Sequence, residues 1–245
     1  MKEREIYADI RTVPPVIIRL DGRAFHRFVA TQSLKKPFDS GFAAAMEQVC
    51  ISLLTESGVS PAFAYTFSDE ISLYLNELPF EGRVEKLVSV IASCAASALT
   101  IAMRLTSPIS FDARIIPVEP ALVAGYLDWR QKEAWRNHIN GYSQALLLLD
   151  GLTPVTVQRR LNRLSAKDLH EICFQHGVNL SKTPAWERRG IMVYHQQFLK
   201  EGFNPVTGEK TEAIRRKVYT DRNLPLFSSD EGRVFVEDLI TPNAL

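Results

Sequence analysis

The stretch Val13-Pro14-Pro15-Val16-Ile17-Ile18-Arg19-Leu20-Asp21-Gly22 is an apolar, β-branched run that ends in an acidic residue and a glycine. Such a run predicts a buried strand, and the Asp-Gly pair marks its end. A second acidic patch, Phe67-Ser68-Asp69-Glu70, lies between two further apolar runs, about 62–67 and 71–75, and predicts a tight hairpin connection. Carboxylates therefore stand at the ends of two predicted strands.

The elements around these two patches predict the order β-α-β-β-α-β. One helix is expected over about 41–56, capped by Asp39-Ser40, a second over about 84–105, and a fourth strand over 111–118. This is the order of the ferredoxin-like fold, in which the first strand lies antiparallel to the strand after the hairpin. We therefore expect Asp21 and Asp69 at the same end of one antiparallel sheet.

From about residue 121 the sequence becomes mainly helical. A long helix is predicted over 126–149, and shorter ones over 155–164 and 166–176, the last opened by a capping box of Ser165 and Asp168. A long C-terminal β-hairpin is predicted from strands at 190–198 and about 213–218, with 204–208 as its turn. We predict an α+β protein, with one region over residues 1–120 and a helical and hairpin region over residues 121–245 that completes the fold.

Composition narrows the class of protein. The 245 residues are 46% hydrophobic and 23% charged, as in ordinary globular proteins, and the net charge of +1 indicates no overall basic field. The three cysteines fit neither a zinc site nor a disulfide framework, so a reduced, cytoplasmic compartment is expected. The charged N-terminus leads into no hydrophobic leader, and the serine-containing apolar stretch 87–103 predicts a helix against a sheet, with no membrane partner.

The two acidic patches suggest chemistry on nucleotides. Asp21 and Asp69 could hold Mg²⁺, which needs only one or two carboxylates beside water and phosphate oxygens, and Gly22 would let a backbone carbonyl approach. The alternative is a plain Asp-Gly turn and a plain hairpin tip. Basic residues that could bind a triphosphate are Lys36, Arg83, Lys86 and Arg114, of which Arg83 and Lys86 open the second predicted helix.

Basic and aromatic residues alternate in the second half of the chain, from Trp129-Arg130 to Arg215-Arg216-Lys217. Rings and guanidinium groups can stack on unpaired bases while the cations neutralise phosphates, so this pattern favours RNA. The alternative is that the tryptophans are core residues and the arginines a solvated face. A phosphate-binding P-loop, a dinucleotide fingerprint and a nucleophile elbow are all absent from the sequence, which disfavours ordinary NTPases, dehydrogenases and hydrolases.

Several motifs together resemble those of the tRNA-His guanylyltransferase family, in the family's order over roughly residues 13–200. They are Ile18-Arg19-Leu20-Asp21-Gly22-Arg23-Ala24-Phe25-His26-Arg27-Phe28, Lys36-Pro37-Phe38-Asp39, Ser68-Asp69-Glu70, Phe111-Asp112-Ala113-Arg114 and Tyr126-Leu127-Asp128-Trp129-Arg130-Gln131.

The resemblance implies a polymerase-like palm over residues 1–120 that adds nucleotides in the 3′-to-5′ direction at the 5′ end of tRNA. It implies two Mg²⁺ ions held by Asp21, Asp69 and the carbonyl of Gly22, with Glu70 as a supporting catalytic residue, and GTP or another NTP together with ATP as substrates. The expected nucleotide contacts are Arg23, Ala24, Phe25, His26, Lys36, Ser68, Arg83, Lys86 and Arg114. The residues expected to bind the tRNA acceptor end are Arg136, Phe174, Arg188, Arg215 and Arg216.

Two departures from the eukaryotic pattern indicate a branch within this family. The segment after Trp-Arg-Gln reads Trp135-Arg136-Asn137-His138-Ile139-Asn140-Gly141 in place of the eukaryotic His-Ile-Asn-Asn-Leu-Tyr-Asn signature, and Phe38 stands where those enzymes have asparagine. Both features are similar to the archaeal and bacterial guanylyltransferase-like branch, which implies template-dependent repair of tRNA 5′ ends, guanylate addition to tRNA-His, or both, by a homodimer or homotetramer. The alternatives are a palm-type nucleotidyl cyclase and a non-catalytic RNA-binding protein on the same fold.

Overall fold

One antiparallel sheet of six strands organises the molecule. The computed structural model describes residues 1–203, 208 and 210–241. The strand order is β4-β1-β3-β2-β5-β6, and every neighbouring pair is antiparallel. The strands are β1 (Val16–Gly22), β2 (Phe63–Phe67), β3 (Glu70–Leu75), β4 (Phe111–Pro117), β5 (Ile191–Phe203) and β6 (Lys210–Asp221).

Helices cover both faces of this sheet. The α-helices are α1 (Phe25–Thr31), α2 (Ser40–Thr55), α3 (Val84–Ala102), α4 (Pro120–Leu149), α5 (Pro154–Leu161), α6 (Ala166–Gln175), α7 (Ala185–Arg189) and α8 (Asp230–Ile240). The first four strands with α2 and α3 have the order predicted for a ferredoxin-like fold, which is confirmed.

The second half of the chain continues the same sheet, because β5 pairs with β2 and β6 pairs with β5. Both hairpin strands run longer than their apolar patterns predict, since beyond His195 the side chains of β5 are mostly solvated. The predicted turn, residues 204–208, lies outside the described residues except for Gly208. Strands from both sides of residue 120 thus belong to one continuous sheet.

Alternation along β1 builds a core on each face of the sheet. Ile18 and Leu20 pack against α2 and α3, whereas Ile17 packs with Tyr74 against α4 and α8. The predicted cap of α2 is present, since the Asp39 side chain accepts a hydrogen bond from the backbone N–H of Phe42 at 2.8 Å. The capping box that opens α6 is present as well.

Helix α3 is long and apolar enough, by length and composition, to cross a membrane. It lies on the sheet, and a stripe at helical spacing, Leu87, Ile91, Ala95 and Leu99, is buried there. This is the packing expected for the apolar stretch 87–103.

Candidate active site

The two acidic patches meet at one end of the sheet. Asp21 lies opposite Glu70 in the β1–β3 pairing, and Asp69 stands in the two-residue turn that joins β2 to β3. Ser68, the other turn residue, has a φ of 51°, a conformation that few residues other than glycine adopt. The predicted convergence of Asp21 and Asp69 is thus confirmed, and a tight, strained turn fixes it.

The carboxylates of Asp69 and Asp21 are close enough to affect each other. The pKa of Asp69 is raised, mainly because the side chain is desolvated and in part because of the negative charge of Asp21. A hydrogen bond of 3.0 Å from the Ser68 hydroxyl opposes this shift. A cation bound beside the two carboxylates would stabilise their charged forms.

The donors at this end of the sheet are chemically suited to Mg²⁺. They are carboxylate oxygens, and the backbone at Gly22 carries no side chain that would screen it. In the described part of the chain no cluster of three or more histidine, cysteine, aspartate or glutamate side chains could hold a metal. Because Mg²⁺ needs only one or two carboxylates, the two aspartates fit an ion that takes its remaining ligands from a phosphate and water.

Gly22 is also required by packing. A Cβ atom at this position would lie 2.2 Å from the ring of Phe25, which packs against Phe28, Phe42 and Phe111. Only glycine lets this aromatic cluster approach the last residue of β1.

Strand β4 adds a third aspartate and an arginine to the site. Asp112 lies opposite Asp21, and Arg114 lies opposite Arg19. Arg114 donates to Asp112 at 2.7 Å, and this bond, with the charges of Asp112, Asp21 and Glu70, raises the pKa of the guanidinium. Arg114 is therefore beside the carboxylates, as predicted. The sequence motifs do not single out Asp112 as a site residue, although its place opposite Asp21 follows from the strand register.

Glu70 is held by an arginine of α4. Arg130 donates from Nε and Nη2 to the two carboxylate oxygens at 2.7 and 2.6 Å, and both side chains are about nine-tenths buried. The guanidinium carbon also lies 4.4 Å from the centre of the Trp129 ring and 5.5 Å from that of Phe67. Because both oxygens of Glu70 are engaged, this residue holds the metal turn (Ser68-Asp69) against α4, which agrees with a supporting role and argues against direct metal ligation.

A cavity of about 200 Å³ opens beside the metal turn. Lys36 and Ser68, both predicted nucleotide contacts, line it together with the last residues of β2. Its remaining walls are largely apolar or aromatic, and include Phe38, Phe42, Met46 and Trp186. We call this cavity the nucleotide cavity, and we call the end of the sheet that carries Asp21 and Asp69 the metal end. An apolar slot with a cationic edge near two carboxylates suits a nucleotide whose triphosphate reaches the metal end.

The other predicted nucleotide contacts, which follow β1 in sequence, differ in their exposure to solvent. Arg23 is exposed directly after β1, and Ala24 adopts a φ of 58° there. Phe25 is a buried core residue, so a nucleotide contact by this residue would use its backbone and stays a prediction. His26 follows Phe25 in the first turn of α1, and its side chain lies outside the described part of the structure.

Arg83 and Lys86 open α3, as predicted, but at the end of the sheet opposite the two aspartates. The register of β1 and β3 runs from Asp21 opposite Glu70 to Val16 opposite Leu75, a length of about 17 Å. Arg83 lies past the Val16 end of β1, where its backbone forms an isolated β-bridge with that of Arg11. Within one chain, Arg83 and Lys86 therefore lie away from the two aspartates, and their contact with a nucleotide stays a prediction.

The predicted RNA contacts are spread over several elements. Arg136 and Phe174 are exposed on α4 and α6, and Arg188 is half-buried on α7. Arg215 and Arg216 are neighbours on β6, so their side chains point to opposite faces of the hairpin. The five residues do not form one continuous cluster on a single element.

His138 is structural, as expected for most of the histidines. Its ring is fully buried between Phe38 and Trp135, and its Nε2 hydrogen-bonds Thr183 at 2.9 Å. Burial, with the nearby charge of Arg188, lowers the pKa of His138 to about 4. The imidazole is therefore neutral at pH 7.

Comparison with known proteins identifies relatives over most of the chain. The family model described as "Thg1: tRNAHis guanylyltransferase" matches residues 1–119. The "Probable tRNA(His) guanylyltransferase" of Bos taurus is 32% identical over 209 residues, which are 79% of this chain and 70% of that protein. The Mus musculus protein of the same name is 33% identical over 195 residues, 74% of this chain and 65% of that protein. The chain thus spans about two thirds of the length of these two relatives.

Solved structures agree with these relatives. A "Bacterial tRNA(HIS) Guanylyltransferase (Thg1)-Like Protein in complex with ATP" is 27% identical, with a TM-score of 0.79 over 98% of this chain and 97% of that chain. The GTP complex described in the same words gives a TM-score of 0.76 over 98% and 96%. The guanylyltransferase of Saccharomyces cerevisiae, at 23% identity and a TM-score of 0.68 over 78% of this chain and 90% of that chain, supports the fold alone. With these similarities and both aspartates in place at the end of the sheet, the chain belongs to the tRNAHis guanylyltransferase family.

Proposed function

We propose that this protein is a nucleotidyltransferase that adds nucleotides to the 5′ end of tRNA in the 3′-to-5′ direction. The observation that carries the proposal is the meeting of Asp21 and Asp69 beside a cavity lined by Lys36 and Ser68. Relatives named as tRNA(His) guanylyltransferases, and bacterial Thg1-like structures described as complexes with ATP and GTP, support it.

Two Mg²⁺ ions bound at Asp21, Asp69 and the Gly22 carbonyl would lower the pKa of the attacking hydroxyl and stabilise the leaving phosphate. The side chains of this chain hold the reactants. Lys36 and Arg114 neutralise phosphate oxygens, and the apolar cavity wall receives the base. The Glu70–Arg130 pair keeps the turn that bears Asp69 in register with Asp21.

The reaction exchanges one phosphorus–oxygen bond for another. The 3′-hydroxyl oxygen of the incoming nucleotide bonds to the 5′ phosphorus of the RNA and loses its proton. The bond from that phosphorus to its leaving group breaks, which releases pyrophosphate from a triphosphorylated end or AMP from an end first adenylylated with ATP. The aspartates serve this transfer in either case.

One assay tests the proposal and separates its rivals. The protein is incubated with Mg²⁺, ATP, labelled GTP and a tRNA that lacks its first nucleotide, and 5′ extension is expected. A cyclic nucleotide product would instead indicate a palm-type cyclase, and RNA binding without any product would indicate a non-catalytic protein. Asp21→Ala and Asp69→Ala should each lower the rate of 5′ extension by about 100-fold or more while sparing tRNA affinity. Retained extension in either variant would remove the two-metal assignment.

Template-dependent repair is the form of the activity that we favour. The departures from the eukaryotic sequence pattern after Trp135 and at Phe38, and the match to bacterial Thg1-like structures over nearly the whole chain, support this branch. Truncated tRNAs with each of the four bases opposite the missing position provide the test. Addition that follows the opposing base supports repair, whereas addition of G regardless of that base supports guanylation of tRNA-His.

The proposal includes docking of the acceptor end through Arg136, Phe174, Arg188 and the hairpin arginines. A homodimer or homotetramer and a cytoplasmic location also stay predictions. Light scattering of the purified protein, with and without tRNA, measures the number of subunits directly.

A further inference from the structure

A second cavity, of about 360 Å³, lies between α4, α7 and the segment that follows β6. Its lining is basic and partly aromatic, unlike that of the cavity beside the metal turn. The lining residues are Asp128, Gln131, Lys132, Trp135, Arg188, Arg189, Leu226 and Ser228.

This cavity, which we call the α4–α7 pocket, lies on another side of α4 from the nucleotide cavity. Its α4 residues, from Asp128 to Trp135, have spacings of three and four and form one stripe. The nucleotide cavity instead uses Ala134, Asn137 and Gly141. At 3.6 residues per turn the two stripes are roughly a third of a turn apart. A ligand in the α4–α7 pocket is therefore separate from a nucleotide at the metal end.

Within the described part of the chain, two adjacent guanidinium groups of this pocket form hydrogen bonds only to backbone carbonyls. Arg188 donates through Nε to the carbonyl of Thr183 at 3.1 Å, and Arg189 donates through Nη1 to the carbonyl of Leu224 at 2.7 Å. Neither forms a salt bridge among the described residues, and Asp128 is already paired with Lys132 at 2.6 Å. Burial, and then the charge of Arg189, lower the pKa of Arg188, and the negative charge of Glu187 only partly opposes this. Two neighbouring, partly buried arginines without a salt bridge are stabilised by a bound anion.

The walls of the pocket are held in place. Gln131 donates to the carbonyl of Pro225 at 3.0 Å and accepts from the backbone N–H of Phe227 at 3.0 Å, which ties the segment after β6 to α4. The indole of Trp135 stacks on His138 at 5.2 Å and presents a rigid aromatic wall. A preformed pocket with two cations and an aromatic side matches a phosphate attached to a base and a sugar.

We propose that the α4–α7 pocket binds one phosphate-bearing nucleotide unit of the RNA substrate, with Arg188 and Arg189 on the phosphate and Trp135 against the base or ribose. The inference rests on the proposed function, since it takes RNA as the partner. It adds a binding site that is distinct from the metal end and from the nucleotide cavity.

The test measures RNA affinity without turnover. The full-length protein in EDTA is titrated with a labelled, 5′-phosphorylated single-stranded RNA at several salt concentrations. Arg188→Gln with Arg189→Gln should weaken binding about tenfold and flatten the dependence of log affinity on log salt by about 0.7 for each phosphate group that is no longer bound. Trp135→Leu should weaken binding about tenfold with an unchanged salt slope, because it removes stacking and no charge.

Two further variants control for misfolding and for the effect of overall charge on RNA binding. Lys132→Glu reverses a charge at the rim on a side chain that is 70% exposed, so it should weaken RNA binding without disturbing the fold. Arg104→Gln removes an exposed charge just after α3 and should leave affinity unchanged.

The outcomes separate this inference from the proposed function. Unchanged affinity and salt slope in the arginine and Lys132→Glu variants would overturn the α4–α7 pocket as an RNA site, even if the wild-type protein extends tRNA. Displacement of the RNA by free AMP or GMP, with the same weakening in the arginine variants, would assign the pocket to a free nucleotide and overturn the RNA assignment. The proposed function fails on its own terms only if the wild-type protein adds no nucleotide.

Discussion

Gly22 joins the chemistry of the site to the packing beneath it. The residue ends β1 next to Asp21, and the Phe25 ring occupies the space where a Cβ atom would stand. The sequence indicates only a backbone that must approach a ligand, whereas the structure adds a steric reason that depends on the folded position of an aromatic ring.

Replacement of this glycine should therefore be costly. We expect Gly22→Ala to destabilise the protein by about 1–3 kcal/mol, as overpacking of a core does. Gly125→Ala is the matched control, because Gly125 is a helical residue of α4 with open space around its Cβ position, and it should stabilise by about 0.5–1 kcal/mol. Urea unfolding measures both, and equal effects would contradict the role of the Phe25 ring.

Asp69 should destabilise the fold in the absence of metal. Its pKa is raised in the folded state, so the stability that it contributes is present when it is protonated and is lost as the pH rises through that pKa. Asp69→Asn should thus raise the melting temperature of the metal-free protein at pH 7 by a few degrees.

The stability of the Asp69→Asn variant relative to wild type should also depend on pH and on Mg²⁺. Its advantage over wild type should shrink as the pH falls and the wild-type carboxyl becomes protonated. Mg²⁺ with a nucleotide should stabilise the wild-type protein more than the variant. A variant that is less stable than wild type at pH 7 would show that Asp69 is needed for the fold.

At the scale of elements, α4 is the helix that fixes the metal turn. Arg130 binds Glu70 at the first residue of β3, and Tyr126, one helical turn earlier, bonds Ser72 at 2.9 Å. Two residues on one side of α4 thus meet alternate residues of β3. Side-chain pairing of this kind follows only from the packed arrangement.

Breaking the Glu70–Arg130 pair from one side should be severe. We expect Arg130→Met to cost about 3–5 kcal/mol, because it leaves the Glu70 carboxylate buried without a partner. Replacing both residues, as Glu70→Gln with Arg130→Met, should recover part of that stability. Arg136→Met, on the same helix but 68% exposed, should change stability by less than about 1 kcal/mol. Calorimetry compares the three, and an equal destabilisation in the single and double variants would contradict the pairing.

Elements with a strong periodic pattern are predictable from the sequence, and short ones are not. The four strands of the ferredoxin-like order, α2 to α6 and both caps follow from the sequence pattern, but α4 begins at Pro120, six residues before its predicted start. By contrast, α1 has seven residues and follows Ala24 in a left-handed conformation, and α7 has only five residues, so neither offers a periodic stripe. A signal for α8 is available in Ser229, whose side chain caps the helix by accepting from the N–H of Gly232.

On the scale of the whole molecule, strand topology decides which site residues are predictable. Asp21, Asp69 and Arg114 come together because three adjacent strands share one end, and the strand order follows from the apolar runs. Arg83 and Lys86 have a suitable charge pattern, but β3 leads away from the site, so α3 begins at the other end of the sheet. The α4–α7 pocket is lined by residues from three segments that lie as far apart in sequence as Asp128 and Ser228, and no local sequence pattern indicates that they meet.

The hairpin offers two different surfaces to a large ligand. Arg215 lies opposite Phe198 and shares its face with Lys217, whose ammonium is 5.8 Å from the Phe198 ring centre, whereas Arg216 lies on the other face. We expect Arg215→Gln to weaken tRNA binding several-fold and to reduce its salt dependence, because this face combines two cations with an aromatic ring. Arg216→Gln tests the opposite face, where we expect a smaller loss of tRNA affinity because the cross-strand partner of Arg216 is Gln197 and not an aromatic residue. Equal losses in filter-binding assays would contradict the larger share that we assign to the Arg215 face.

The pairing of β2 with β5 has a consequence for any attempt to isolate the first half of the chain. The family match ends at residue 119, yet β2 is a fully buried strand in the middle of the sheet. A fragment cut there would leave the backbone N–H and C=O groups of 63–66 that face β5 unpaired, next to the apolar surface that α4 covers. Such an edge is a template for strand addition between molecules. We therefore expect the fragment 1–119 to aggregate as intermolecular β-sheet. In the intact chain, the pairing of β5 with β2 blocks this route to self-association.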